Sequence, residues 1–70
     1  MPSKLFTIEG INPDTGETLY LNVGDEWVDS LQDAVLFHRW EADGAIARLD
    51  RRNRGIDRED QIFPTLKGIA

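Results

Sequence analysis

Apolar and polar residues alternate most regularly in the first third of the chain. Thr18-Leu19-Tyr20-Leu21-Asn22-Val23 sets Leu19, Leu21 and Val23 on one face and Tyr20 and Asn22 on the other, the two-residue period of a half-buried antiparallel strand. Leu5-Phe6-Thr7-Ile8 is a second β-prone run of branched and aromatic side chains. Between them, Asn12-Pro13-Asp14-Thr15-Gly16-Glu17 places proline for a type I turn and Gly16 where a left-handed residue closes a bulged loop. The spacing predicts a β-hairpin over residues 4–23.

Gly24-Asp25-Glu26 breaks the alternation, and Trp27-Val28 restores an apolar pair whose tryptophan is expected to plug one end of the core. Asp29-Ser30-Leu31-Gln32-Asp33 is a polar connector with room for one helical turn. Ala34-Val35-Leu36-Phe37 is either a third strand or the start of a longer helix; its length and β-branching favour the strand. The helix itself is plainer. Ala42, Ala45, Ile46 and Leu49 fall at i, i+3, i+4 and i+7, an apolar stripe on one face. Glu41 and Asp43 occupy the first turn and Arg51, Arg52 and Arg54 the last, as the helix dipole favours. Gly55 is placed to end it, whereas neither His38 nor Arg39 is a good N-terminal cap. Gly44 inside a helix costs about 1 kcal/mol relative to alanine, which suggests a close crossing over the sheet. Ile62-Phe63-Pro64-Thr65-Leu66 reads as a last strand that its proline confines to an edge or cuts short. The expected fold is α+β: residues 1–70 as one small domain, an antiparallel sheet of three to four strands in the order β-β-(β)-α-β, and one helix packed on one face.

Tyr20-Leu21, Trp27, Ala34 and Phe37, a helix holding Glu41-Ala42, Ala45 and Leu49, and a final strand together resemble a group of small uncharacterised domains found in phage and bacterial genomes. The resemblance spans most of the chain and rests on core positions. It departs from the group's pattern at His38-Arg39, where a capping Ser, Thr or Asp is usual, and at Gly44. What it implies is an architecture and a setting, a mobile-element protein acting on a host machine. Anti-CRISPR and other host-takeover inhibitors belong to that class.

Composition narrows the chemistry. The chain has no cysteine, which removes disulfides and thiolate zinc sites and fits a reducing cytosol. No apolar run approaches the ~20 residues of a membrane span, so a cytoplasmic protein without membrane contact is expected. His38 with Glu41 offers at most two metal ligands, and a helix-end histidine is the plainer reading. The acids lack EF-hand spacing. No nucleophile-base pair, phosphate loop or cofactor fingerprint is present, and a chain this short leaves little room for the usual ~300 Å³ pocket. Neither enzyme activity, nor a cofactor, nor a metal is expected.

Charge is distributed unevenly. Residues 1–38 carry seven acids (Glu9, Asp14, Glu17, Asp25, Glu26, Asp29, Asp33) against Lys4 alone, while the rest is nearly neutral and gathers Arg48, Arg51, Arg52 and Arg54 within seven residues. The net charge of −5 disfavours general binding to phosphate backbones. The seven acids are expected to face a basic surface on a larger host protein or protein–nucleic-acid complex, in the manner of a nucleic-acid mimic; a solubilising surface is the plain alternative. Trp40 lies off the helical stripe, so it is either an exposed interface anchor or packed over the end of the third strand. Two other functions remain open: nucleic-acid binding through the arginines with Trp40 or Tyr20 stacking a base, and a homo-oligomer joined through the final strand. A monomer is favoured, since Pro64 interrupts that strand.

Overall fold

The computed structural model describes residues 4–69. Four strands form one antiparallel sheet: β1 (Leu5–Ile11), β2 (Thr18–Leu21), β3 (Trp27–Val28) and β4 (Thr65–Ile69), in the spatial order β3-β2-β1-β4. A single helix, α1 (Arg39–Asn53), connects the β3 side to β4. The α+β class and the β-β-β-α-β order are those the sequence predicts.

The hairpin turn forms by the local chemistry of its residues. Asn12 Oδ1 accepts from the Asp14 amide at 2.8 Å, the Gly16 amide donates to Asn12 O at 2.8 Å, and the Asn12 amide donates to Glu17 O at 2.8 Å. Gly16 takes φ +77°, the left-handed conformation that glycine adopts without steric cost. β1 runs three residues beyond the predicted Ile8, pairing Glu9 with Tyr20 and Ile11 with Thr18.

β2 ends two residues early, which relocates the third strand. Asn22 Oδ1 accepts from the Gly24 and Glu26 amides, both at 2.9 Å, so its side chain folds the backbone into a turn where a strand would continue. Val23 is therefore 86% exposed, not on the buried face with Leu19 and Leu21. The chain returns at once, and Trp27 and Val28 pair with Leu21 and Tyr20 as β3. The predicted strand at Ala34–Phe37 is instead an extended segment making one bridge. Its Phe37 amide and carbonyl bond Phe6 O and N at 2.7 and 2.9 Å, and the Val35 amide donates to Leu21 O at 3.2 Å. The segment thus lies against the part of β1 from which β2 has departed. The polar connector does contain one helical turn, a 3₁₀ turn at Leu31–Asp33.

Ile8, Leu21, Phe37, Ala42, Ala45 and Leu49 form the core, with Trp27, Val35, Ile46 and Leu66 packed against it. The helical stripe is as predicted, but the close approach to the sheet is made by Ala42 and Ala45, both fully buried. Gly44 is exposed, and a Cβ there would meet nothing nearer than Arg48 Nη1 at 3.7 Å. The glycine that does answer to crowding is Gly10 on β1. Its Cα lies beneath the Ile62 side chain and the Trp27 ring, whose nearest atom is 3.0 Å from where a Cβ would stand.

Both helix ends are closed from a distance. The Glu41 carboxylate accepts from the His38 amide at 3.1 Å, so the third helical residue supplies half of a capping box in place of a good first cap. At the other end Asn53 is buried and donates to Ile62 O at 3.1 Å, while Gln61 Nε2 donates to Asn53 O at 2.8 Å and Ile56 O at 2.9 Å. Gly55 follows the helix without a left-handed φ. Pro64 stands just ahead of β4, not inside it; the strand lies at the sheet edge, and the proline does not interrupt its pairing with β1.

The two glycines give opposite expected outcomes in urea denaturation. Gly44→Ala raises stability by about 0.5–1 kcal/mol, since only chain entropy and propensity change. Gly10→Ala lowers it by about 1–3 kcal/mol, because Trp27 and Ile62 must shift.

Candidate functional site

Two of the seven acids are committed to partners within the fold. Asp25 lies in the β2–β3 turn at φ +59°, a conformation that costs energy for any residue except glycine and is best tolerated by Asp and Asn. Two arginines hold it there. Arg48 Nε and Nη2 donate to its carboxylate at 2.7 and 3.2 Å, and Arg52 Nη2 donates to its backbone oxygen at 2.7 Å. The Arg48 hydrogen bond lowers the Asp25 pKa, against a smaller opposing effect of desolvation, and Asp25 in turn raises that of Arg48. Glu9 is half-buried on β1, with Lys67 Nζ of β4 at 3.6 Å.

The other five acids are exposed and enter no ion pair among the described residues. Asp14 and Glu17 occupy the β1–β2 turn. Glu26 and Asp29 flank β3, the two-residue edge strand, and Asp33 ends the 3₁₀ turn that follows. Successive turns of an antiparallel meander lie at opposite ends of its sheet, so these carboxylates do not gather at a single tip; they are spread over the β1–β2 turn and the β3 edge with the turn after it.

The basic cluster is largely consumed. Arg48 and Arg52 hold Asp25, and Arg54 pairs with Asp50 one turn back at 3.3 Å. Arg51 is exposed and has no ion pair among the described residues.

Trp40 is 75% exposed, as its position off the stripe anticipates, and it forms a wall shared by two clefts. One, of about 410 Å³, lies among Val23, Asp25, Val35, Phe37, Glu41, Gly44 and Arg48. The other, of about 630 Å³, is bounded by Lys4, Phe6, His38 and Arg39. In the second cleft Lys4 Nζ lies 5.7 Å from the Phe6 ring centroid and the Arg39 guanidinium carbon 5.9 Å from it, both within cation–π range. Sequence reasoning did not find this cleft. Nothing local marks it, because Lys4 and Arg39 meet only through the Phe6–Phe37 bridge.

Among the described residues no group of three or more His, Cys, Asp or Glu side chains is arranged to hold a metal ion, and no helix is long and apolar enough to cross a membrane. Glu41, one of the two metal ligands considered, caps the helix instead. No protein-family model, curated protein or solved structure matches the chain.

The Asp25–Arg48 pair gives stability a defined pH dependence. Because folding lowers the Asp25 pKa, the unfolded chain takes up its proton first; the contribution is complete well above 3.8 and is lost as pH falls through the lower native value. Asp25→Asn keeps the left-handed backbone but not the charge. Its stability deficit relative to wild type, read from chemical denaturation across pH, is largest near neutrality and shrinks in acid. A deficit that stays constant with pH contradicts this assignment.

Proposed function

We propose that the protein is a non-enzymatic binding protein that presents the acids of its β1–β2 turn and β3 edge, an acidic margin, to a basic surface on a larger host protein or protein–nucleic-acid complex. The observation that carries this reading is the fate of the charges. Arg48 and Arg52, the two arginines that reach the acidic half, are both spent on Asp25, and Asp14, Glu17, Glu26, Asp29 and Asp33 remain solvent-facing and unpaired among the described residues. Unpaired carboxylates along one margin attract a cationic surface and accelerate encounter with it. A surface built for nucleic acid has that character, so occupying it would exclude the nucleic acid. Together with the resemblance to phage and bacterial domains, this suggests an inhibitor acting in the cytoplasm, of the kind anti-CRISPR proteins exemplify. Nucleic-acid binding through Arg48, Arg51, Arg52 and Arg54 is the weaker reading, because Arg48 and Arg52 already hold Asp25.

The test is recovery of the tagged protein from its native cell, followed by binding measurements with the recovered partner. Asp14→Lys, Glu17→Lys and Asp29→Lys together are expected to slow association at least about tenfold, and added salt to slow the wild type similarly. A partner bound equally well by the triple variant, or independently of ionic strength, overturns the proposal.

A further inference from the structure

Trp40 and the cleft beside Phe6 take no part in the acidic margin, and their chemistry is of the opposite sign. The cleft is open to solvent and lined by two aromatic rings, Phe6 and the exposed Trp40, by Lys4 and Arg39, and by His38. Lys4 and Arg39 both approach the Phe6 ring, at 5.7 and 5.9 Å from its centroid. Arg39 is only lightly held: its contact with Asp43 is 3.4 Å between side chains that are 68% and 62% exposed, and exposed pairs of that kind constrain little. The Arg39 guanidinium is therefore able to turn toward an incoming anion, and Lys4 is an exposed residue of the same cleft.

We propose that this cleft binds a nucleoside phosphate, the base stacked on the Trp40 indole and the phosphate held between Lys4 and Arg39. A bare anion would leave the exposed indole unused, and an apolar group would leave two cations desolvated without a partner. A flat ring joined to a phosphate satisfies both. The net charge of −5 sets the limit on length. Local cations act within about one Debye length, ~8 Å in physiological salt, so a single nucleotide or the end of a single strand is accommodated and a long polyanion is repelled. This site shares no residue with the acidic margin.

Adenosine 5′-monophosphate, a phosphorylated oligothymidylate, adenosine and inorganic phosphate are the probes. Binding is read by quenching of tryptophan emission in the Trp27→Phe background, where Trp40 is the one emitter, and by amide chemical shifts at Lys4 and Arg39 in the otherwise unchanged chain. The monophosphate or the oligonucleotide is expected to bind saturably, at least about tenfold more tightly than adenosine or phosphate alone, as stacking on an exposed aromatic ring warrants. Trp40→Ala, at an exposed position, and Lys4→Glu with Arg39→Glu each weaken it by a similar factor, whereas Asp14→Lys with Glu17→Lys does not weaken it. Tighter binding of the oligonucleotide identifies a strand terminus as the source, and equal binding identifies the free nucleotide. No saturable binding of either at millimolar concentration, phosphate binding as well as the nucleotide, or undiminished affinity in Trp40→Ala each overturns the proposal. Loss of the acidic-margin interaction has no bearing on these readouts, so the two readings fail separately.

Discussion

The backbone of β1 needs hydrogen-bonding partners on both edges, and much of the structure follows from how that need is met. A central strand with unpaired amides under a helix would forfeit free energy at every orphan. On one side β4 pairs with it from Leu5 to Glu9; on the other β2 pairs with Glu9 to Ile11 and then turns away at Asn22. The segment ending at Phe37 enters that gap and exchanges two hydrogen bonds with Phe6. Because the helix begins two residues later, this single bridge fixes where Arg39 and Trp40 stand relative to Lys4 and Phe6. Both clefts are consequences of it.

Charge is used in two ways in the same chain. The contrast between an acidic first half and an arginine-rich helix is partly a device of the fold: residues 23 positions apart, Asp25 and Arg48, lock the β2–β3 turn onto α1. The backbone conformation of Asp25 is a cost offset by the Asn22 turn and by the two arginines that clasp it. Apart from Glu9, which meets Lys67 across the β1–β4 pair, the other acids of the first half have no such role within the fold. Glu26 and Asp29, on either side of a two-residue edge strand, also discourage a second sheet from pairing there, so solubility and partner selection draw on the same side chains.

Elements governed by short-range chemistry were readable from the residues. Pro13 and Gly16 specify the hairpin turn, and Ala42, Ala45, Ile46 and Leu49 specify the buried helical face. Spacing took Trp40 off the buried stripe but left open whether it packs over the third strand; the structure leaves it exposed. The third strand was not readable in this way. Trp27-Val28 and Ala34–Phe37 are both short and apolar, and the choice between them is made by Asn22, whose side chain ends β2 early. The glycines misled for a similar reason: Gly44 looked like a packing position because it lies in a helix, while the crowding at Gly10 comes from Trp27 and Ile62, distant in sequence. The Asp25 clasp and the cationic cleft depend on tertiary juxtaposition, and no local pattern encodes either one.

The pairing of β1 with β4 joins Leu5 to Ile69, almost the whole length of the described chain, and this sets the order of assembly. The β1–β2 hairpin and the helix close small loops at little entropic cost, whereas the last strand closes the largest. During synthesis β1 waits with one edge bare until β4 emerges, and an edge left bare is a template for a neighbouring chain. The strand that completes the sheet is thus also the one that ends the period in which a nascent copy is open to wrong partners.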